Sequence, residues 1–216
     1  MRFLITAGPT REFIDPVRFI SNRSSGKMGY ALAEAARAIS PHVTLVSGPV
    51  ALKPPKGVNV VLVTTTAELA AALAQRFDRC DVLIMAAAVC DFRPRHTARS
   101  KIKKSAAGGT LTLELVENLD VVASLGRRKK RQVVIGFAAE TNDLLVHARA
   151  KLHRKQLDLI VANDASAMDA ETNQVTLLYR NGHVEPLPEL PKTKLARIII
   201  ERAIALVGTM TAKSSR

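Results

Sequence analysis

Short, uninterrupted apolar runs alternate along this chain with segments of helical periodicity, and this alternation narrows the available folds more than any other feature. The apolar runs lie at residues 2–7, 43–46, 58–63, 82–88, 133–137 and 157–161. The helical patterns lie at 27–39, 66–77, 120–125, 143–156 and 191–206. Strands that are apolar throughout are typical of parallel sheets covered on both faces. The sequence therefore predicts an α/β three-layer sandwich with a mostly parallel sheet, extended by antiparallel edge strands around a turn at Asn181 and Gly182.

The composition indicates an aliphatic core and excludes several classes of protein. Hydrophobic residues make up 47% of the 216 residues, and aromatic residues only 4%. No apolar run approaches the length of about 18 residues that a membrane helix requires, and the first run is too short for a secretory signal, so we expect a cytoplasmic protein. Cys80 and Cys90 stand at opposite ends of one predicted strand, too far apart for a disulfide. Because there is no internal repeat and no linker, residues 1–216 are predicted to form a single domain.

The charge of the chain indicates an anionic ligand. There are 32 Lys and Arg residues against 19 Asp and Glu, a net charge of +13, which attracts anions. A basic module that binds nucleic acid is one candidate, although the usual zinc-finger, basic-region and RNP patterns are absent from the sequence. A site for a small polyphosphate is the other. The basic run at 127–131 is interpreted as a solvated turn between the end of a helix and a strand.

The loop after the first strand predicts an anion site at the start of a helix. It lacks the spaced glycines of a dinucleotide fold, and no acid ends the second strand, which argues against a nicotinamide-dependent reductase. Free N–H groups at a helix N-terminus, small hydroxyls and guanidinium groups together attract anions. A helix capped by a serine beside solvated arginines explains the pattern equally well, with Ser25 or Ser24 as the cap. The residues concerned are Arg18, Asn22, Arg23, Ser24, Ser25 and Gly26.

Further residues predict a phosphate ligand near the carboxyl ends of the strands. The small side chains at 86–88 would let a planar ligand approach the backbone, and Asp91 could hold a ribose hydroxyl or a metal-bound water. The segment 93–109, which we call the flap, is predicted to be a flexible basic loop whose lysines fold over a triphosphate. Two lysines of a later helix share one face because they are four residues apart. Packed alanines and solvated lysines are the alternative explanations. The lysines are Lys101, Lys103, Lys104, Lys151 and Lys155.

The order of these pieces resembles that of the phosphopantothenoylcysteine synthetases of the bacterial, CTP-dependent type. The matching segments are AGPTREFIDPVRFISNRSSGKMGYALAEAA at 7–36, VTLVSGP at 43–49, AAAVCDFRP at 86–94, KIKK at 101–104, ENLD at 117–120, GFAAET at 136–141, and K-x-x-x-K with D-x-I-V-A-N-D at 151–164. The resemblance implies a Rossmann-like fold and a homodimer. It also implies a ligase of coenzyme A biosynthesis that uses CTP and Mg²⁺ to activate 4′-phosphopantothenate as an acyl-cytidylate, with release of pyrophosphate. The amine of cysteine would then displace CMP and give phosphopantothenoylcysteine.

The resemblance implies roles for individual residues as well. Asn22 would hold the acyl intermediate, Arg18 would support its conversion, and Lys101 would act on the reacting phosphates. The acid substrate would be bound by Asn22 together with Ser24, Ser25 and Gly26. The nucleotide would lie against Ala87, Ala88, Asp91, Lys101, Asn118, Asp120, Val121, Phe137, Lys151 and Lys155. No direct protein ligand for a metal, no membrane and no nucleic-acid partner is expected.

Two features of the chain bear on how far the resemblance extends. Leu119 stands where the family usually has proline, in the turn implied for base recognition, so the choice of CTP over ATP stays open. Many bacterial members of the family are fused to a flavin-dependent decarboxylase domain, whereas Met1 here opens directly on the first predicted strand, so we expect either a stand-alone enzyme or a part of such a longer protein. A basic nucleic-acid-binding module and an NAD(P)-dependent Rossmann reductase are the alternative functions.

Overall fold

The structure, a computed structural model, describes residues 1–104, 109–140, 144–164 and 170–214. The strands in these ranges are β1 (Phe3–Ala7), β2 (Arg11–Phe13), β3 (Phe19–Ser21), β4 (Val43–Ser47), β5 (Asn59–Leu62), β6 (Val82–Met85), β7 (Phe92–Pro94), β8 (Leu115–Glu117), β9 (Val133–Glu140), β10 (Leu159–Asp164), β11 (Thr172–Asn173), β12 (Val175–Tyr179), β13 (Val184–Pro186) and β14 (Leu190–Pro191). The helices are α1 (Lys27–Arg37), α2 (Thr66–Ala74), α3 (Val121–Arg128), α4 (Leu144–Arg154) and α5 (Lys192–Ser214), with a 3₁₀ turn at Phe77–Arg79.

A central sheet of eight strands, counted within the described ranges, organises the molecule. Its order is β13-β12-β10-β9-β6-β1-β4-β5. All neighbours from β10 to β5 pair in parallel, whereas β12 and β13 extend the sheet with antiparallel pairs. Parallel neighbours bring their carboxyl ends to one edge of the sheet, where α/β proteins bind ligands. The predicted fold class, a Rossmann-like α/β sandwich with a small antiparallel extension, is confirmed.

The sheet is buried on both faces because its strands are apolar at successive positions. Phe3 and Ile5 of β1 face a core that contains residues of α1 and α5. Leu4, between them, faces a second core that contains residues of α2, α3 and α4. Successive side chains of a strand point to opposite faces, so an uninterrupted apolar run supplies both cores at once. This is the physical reason that the pattern in the sequence predicted the three layers.

The helices begin in different ways, and one predicted cap is wrong. The Thr65 side chain accepts from the backbone N–H of Glu68, whose own side chain bonds back to the cap, which forms a capping box before α2. By contrast, the N-cap of α1 is Gly26, with φ of 77° and no side-chain cap hydrogen bond, so neither Ser24 nor Ser25 caps this helix. The left-handed turn, which glycine tolerates best, brings Gly26 against the backbone of Gly8.

Two small hairpins lie in segments for which the sequence predicted little regular structure. β2 and β3 pair within the loop between β1 and α1, and β7 and β8 pair across the two ends of the flap region. Leucine recurs at every second position from 111 to 115, a pattern typical of a strand, but the strand in this segment is only Leu115–Glu117. The final helix extends to Ser214, well beyond the predicted end at 206. Residues 105–108 of the flap, residue 141 of the matching GFAAET segment and residue 143 of the fourth predicted helix lie outside the described residues.

The basic run at 127–131 occupies the predicted place, but one of its lysines is not solvated. α3 ends at Arg128, and β9 begins at Val133. Lys129 Nζ donates to both carboxylate oxygens of Asp158, at 2.8 and 2.9 Å, and to the carbonyl of Gln156. The side chain of Lys129 is only 10% exposed and that of Asp158 only 4%. The interpretation as a wholly solvated turn is therefore wrong at Lys129, because the local pattern gave no sign of a distant buried acid.

Two remaining features concern the surroundings of the chain. Among the helices of the described ranges, none is both long enough and apolar enough to cross a bilayer. Cys80 and Cys90 are both buried and free, so the expectation that they form no disulfide is confirmed.

Candidate active site

A cavity of about 430 Å³ opens at the carboxyl edge of the sheet, between β6, β9, α3 and α4. The segment after β6 forms one wall, the turn before α3 another, and the last turn of α4 supplies cations. Eight of the residues predicted to bind the nucleotide line it: Ala87, Asp91, Asn118, Asp120, Val121, Phe137, Lys151 and Lys155. Residues more than sixty positions apart in sequence thus meet, as expected for a site built where parallel strands end.

Two lysines at the carboxyl end of α4 reach the cavity: Lys151 lies in the helix, and Lys155 directly follows its last residue, with its backbone N–H still bonded to the carbonyl of Lys151. Lys151 Nζ donates to the carbonyl oxygen of Phe137 at 2.9 Å. Lys155 Nζ lies 2.9 Å from Asp120 Oδ2, and the Lys155 side chain is only 15% exposed. The predicted sharing of one face is therefore confirmed. Each ammonium is held in place by an oxygen of the cavity wall, so both positive charges have fixed positions at the cavity.

Asp120 both starts α3 and orients a lysine. Its Oδ1 accepts the backbone N–H of Ala123 at 3.0 Å, which makes it the N-cap of α3. Partial burial alone would raise the pKa of Asp120, but the Ala123 N–H and the Lys155 ammonium outweigh burial and lower the pKa. The carboxylate is therefore charged at neutral pH. It stabilises the helix start and at the same time holds Lys155 at the rim of the cavity.

Asn118 ties the cavity walls together through its side-chain amide. Its Nδ2 donates to the carbonyl of Cys90 at 2.9 Å and to Thr66 Oγ1 at 3.4 Å, and its Oδ1 accepts from Arg93 at 3.3 Å. The backbone N–H of Asn118 also donates to the carbonyl of Asp91 at 2.7 Å. These bonds fix the turn that carries Leu119 and the start of α3. The role implied for Asn118 beside a base stays a prediction.

The remaining predicted site residues do not line this cavity. The carbonyl of Ala88 accepts from Asn22 Nδ2 at 3.1 Å and from the backbone N–H of Thr10. Ala88 lies between Ala87 and Val89, which do line the cavity. Asn22 and the cavity therefore meet at the same segment after β6, because Asn22 bonds to Ala88 and the two neighbours of Ala88 line the cavity. The structure thus places Ala88 at the junction and not inside the cavity.

Five other predicted residues lie outside the cavity lining as well. Ser24 and Ser25 are half-buried just before α1, and Gly26 is buried. Lys101 is exposed and lies on the flap, outside the lining residues. Arg18 is joined to Asp15 in an ion pair. Arg18 and residues 24–26 lie in the connection between β1 and α1, and Lys101 lies between β7 and β8.

A buried polar network behind the site escaped the sequence reading. Thr10 Oγ1 lies 3.1 Å from Thr66 Oγ1 and accepts the backbone N–H of Cys90 at 2.9 Å. The Glu12 carboxylate, only 6% exposed, accepts the backbone N–H of Thr66 at 2.9 Å. These polar residues lie before β2, within β2 and at the start of α2, and they share no local sequence pattern, so nothing could have signalled this network. Arg154, which also lines the cavity, follows the lysine pattern at helical spacing and could have been found.

Cys90 is a structural residue of this network. Burial raises the pKa of the Cys90 thiol, against the opposing effect of its hydrogen bond to Thr10, and the Sγ atom lies 3.5 Å from the carbonyl of Thr10. A buried thiol with a raised pKa is a poor nucleophile. Cys90, only 5% exposed, is therefore a packed side chain. Within the described residues, no group of three or more His, Cys, Asp or Glu side chains is arranged to bind a metal.

Comparison of the chain with models of known protein families identifies the family to which it belongs. A family model described as the DNA/pantothenate metabolism flavoprotein C-terminal domain, DFP, matches residues 1–206, and the chain belongs to this family. The family resemblance inferred from the sequence motifs is therefore confirmed.

Particular relatives narrow the comparison. The chain is 47% identical over 208 residues to the coenzyme A biosynthesis bifunctional protein CoaBC of Bacillus subtilis. The matched region covers 94% of this chain and 51% of that relative. The chain thus spans about half the length of the curated relatives it matches. The crystal structure of the C-terminal domain of CoaBC is similar, with a TM-score of 0.84 at 42% identity over 96% of both chains. A Cab2 mutant in complex with phosphopantothenate-cysteine has a TM-score of 0.83 at 19% identity, over 100% of this chain and 89% of that chain, and shows the shared fold.

Proposed function

We propose that the chain is a phosphopantothenate–cysteine ligase. In this proposal CTP activates the carboxylate of 4′-phosphopantothenate as an acyl-cytidylate with loss of pyrophosphate. The amine of cysteine then attacks the acyl carbon, and phosphopantothenoylcysteine and CMP leave. The observation that carries the proposal is the juxtaposition at one strand tip of a cavity with convergent lysines and of Asn22, bonded to Ala88. Membership of a family whose relatives are named for coenzyme A biosynthesis supports it.

The cavity has the chemistry that a nucleoside triphosphate requires. Phe137 and Val121 offer apolar surface to a planar base, whereas Lys151 and Lys155 offer positive charge to phosphates. Ordered donors and cations beside developing charge are a large source of rate acceleration in such reactions. The chain has 32 basic and 19 acidic residues, and the resulting positive electrostatic field favours the binding of two polyanionic substrates.

Magnesium would enter with the nucleotide. Mg²⁺ usually keeps several waters and is held by substrate phosphates with one or two carboxylates. Two acidic residues, Asp91 and Glu117, line the cavity, so the residues present fit a cation that the phosphates bring. The ion would supply charge neutralisation at the phosphates. Asp91 would orient the hydrated ion or a ribose hydroxyl.

The other residues divide between the two halves of the proposed reaction. Lys101, on the exposed base of the flap, would neutralise charge on the leaving pyrophosphate. The amide of Asn22, held by the Ala88 carbonyl at 3.1 Å, would fix the acyl group in place for attack by cysteine. Orientation of this kind turns an encounter between two molecules into a reaction within one complex.

Product formation tests the proposed function directly. We expect the protein, incubated with Mg²⁺, phosphopantothenate and cysteine, to form phosphopantothenoylcysteine with CTP more efficiently than with ATP, GTP or UTP. Mass spectrometry identifies the product, and omission of cysteine should leave the acyl-nucleotide. Absence of product with all four triphosphates would refute the ligase, and equal turnover with ATP would refute only the choice of nucleotide.

Two substitutions separate the half-reactions. Lys101→Gln should slow pyrophosphate release by about 10²-fold or more. Asn22→Asp should leave this step and block the second, because a carboxylate oxygen would face the Ala88 carbonyl where an amide N–H now donates. Lys53→Gln, at an exposed lysine that does not line the cavity, is the control and should be unchanged. Normal turnover in both site variants would contradict the residue assignment.

The oligomeric state is part of the same proposal. A homodimer is expected from the family resemblance, and light scattering at several protein concentrations measures it. A monomer with full ligase activity would show that the second copy is dispensable for the reaction.

A further inference from the structure

The carboxylate of Asp15 is the centre of a buried cluster that sequence reasoning did not single out. Its side chain has no exposed surface. Asp15 Oδ1 accepts the backbone N–H groups of Val17 and Arg18, each at 2.9 Å. Asp15 Oδ2 accepts from Arg18 Nε at 3.0 Å and from the backbone N–H of Ile102 at 3.1 Å. One carboxylate therefore joins the loop after β2 to the base of the flap.

Arg18 makes a second hydrogen bond to the backbone of Ile102. Its Nη2 donates both to Asp15 Oδ2 and to the carbonyl oxygen of Ile102, the latter at 3.0 Å. The N–H and the C=O of Ile102 are thus both held, one by Asp15 and the other by Arg18. Fixing both polar groups of a residue leaves its backbone little freedom, and Lys101 is the residue directly before it in the chain.

Two further bonds show that the grip is part of a longer contact. The backbone N–H of Ala98 donates to the carbonyl of Ile14 at 2.9 Å, and Thr97 Oγ1 donates to the carbonyl of Phe13 at 2.9 Å. The segment that leads to Lys101 is therefore laid along the β2–β3 loop. Phe13 and Ile14 contribute only backbone carbonyls to this contact, whereas Asp15 contributes a charged side chain.

The charge on Asp15 is secured by its partners. The Arg18 guanidinium, helped by the backbone N–H groups of Val17, Ile102 and Arg18 and opposed by burial, holds the pKa of Asp15 well below its usual range. Charge-assisted hydrogen bonds are roughly twice as strong as neutral ones. The ionised carboxylate is therefore a firm anchor throughout the neutral range.

We propose that Asp15, acting through Arg18 and the peptide groups of Ile102, is a positioning residue that sets the place of Lys101 for the nucleotide half of the reaction. The inference rests on the proposed ligase function. It also assigns Arg18 a part in the first half-reaction, through the Ile102 carbonyl, in addition to the role implied by resemblance. An error of about 1 Å in the place of a reacting group can cost about 10²-fold in rate. Hydrogen bonds that fix the backbone of Ile102 therefore affect the reaction rate through the position of Lys101.

A double-mutant cycle on pyrophosphate release tests the proposal. Asp15→Asn replaces one acceptor oxygen by an amide NH₂ that faces N–H donors, and it removes the charge that holds Arg18. We expect kcat for pyrophosphate release to fall by about 10–100-fold, with KM for CTP changed by less than about 3-fold because the cavity lining lacks both residues. In the Lys101→Gln background the same substitution should cost less than about 3-fold, since residues that act through one group are not additive.

The control is an acid with similar partners at the other end of the sheet. Asp81 accepts the backbone N–H of Arg2 at 2.7 Å and pairs with its guanidinium, so Asp81→Asn should leave kcat and KM unchanged. Hydrogen exchange provides a readout without catalysis: the amide of Ile102 should exchange faster in Asp15→Asn than in the parent protein. If Asp15→Asn does not fold, Arg18→Lys carries the same cycle, because lysine keeps the charge and loses the two-pronged grip.

The outcomes are distinguishable. Equal losses from Asp15→Asn with and without Lys101, a loss in KM alone, or unchanged exchange at Ile102 would each overturn the positioning role. Absence of ligase activity in the unmodified protein would instead refute the proposed function, and the exchange measurement would still report whether Asp15 holds the flap base.

Discussion

Replacement of Lys129 by alanine tests whether this lysine forms a buried ion pair with Asp158, which its place in a basic surface run did not predict. Lys129 belongs to a run of five basic residues, yet its ammonium lies 2.8 and 2.9 Å from the two oxygens of Asp158. Asp158 Oδ2 also accepts the backbone N–H of Val134 at 2.7 Å. Removal of the lysine would leave a carboxylate whose side chain is only 4% exposed without its counter-charge.

The size of the effect follows from this burial. Removing one partner of a buried ion pair typically costs about 3–5 kcal/mol, because the other charge stays buried and uncompensated. For a chain of 150–250 residues, about 1 kcal/mol corresponds to a shift in Tm of about 2–4 °C. We therefore expect Lys129→Ala to lower Tm by roughly 6–20 °C.

The matched control is the next residue along the chain. Lys130 is exposed, so Lys130→Ala should change the free energy of unfolding by less than about 0.5 kcal/mol. Urea unfolding and differential scanning calorimetry at pH 7 measure both variants. Similar small effects of the two substitutions would show that the Lys129–Asp158 pair is solvated in solution and would refute the reasoning.

Three further substitutions probe the helices around the cavity and the core. A Cβ at Gly126 would lie 2.2 Å from the carbonyl oxygen of Lys155, so Gly126→Ala should cost about 1–3 kcal/mol and weaken nucleotide binding in a titration; Gly208→Ala, where a Cβ meets nothing within 4 Å, is its control and should not destabilise. The lowered pKa of Asp120 means that its contribution to stability is complete above about pH 4 and is lost as the pH falls through the folded-state value, so Asp120→Asn should flatten urea midpoints measured from pH 5 to pH 3. Phe77 is fully buried, and Phe77→Ala should cost about 3–5 kcal/mol by chemical denaturation; a cost below about 1 kcal/mol would contradict its place in the core.

The sheet and its layers could be predicted because strand burial leaves a direct mark on sequence. Residues 82–85 are apolar at every position, and all four are buried between two layers of helices. The short hairpins left no such mark. β2 and β3 lie in the connection between β1 and α1 and span only three residues each. They are held by pairing with each other, and segments this short show no hydrophobic periodicity.

The candidate site was predicted where its residues share an element and missed where they do not. Lys151 and Lys155 could be paired from helical spacing alone. The partnership of Asp15 with Ile102 spans 87 positions, and the bond between Thr10 and Thr66 spans 56. Contacts of this kind depend on how loops cross at the edge of the sheet, and a single sequence carries no local pattern for them. The missing serine cap of α1 has the same cause, because Gly26 turns to meet another loop.

The two buried thiols make the protein a convenient host for site-directed labelling. Burial raises the pKa of Cys80 to about 12 and also raises that of Cys90, and the thiolate is the form that attacks maleimides and iodoacetamides. A single cysteine introduced on the surface should therefore take up a fluorophore while both native sulfurs stay unmodified. Both native thiols should become reactive only when the protein unfolds. The rate at which an alkylating reagent modifies them therefore measures the rate of unfolding without any introduced label.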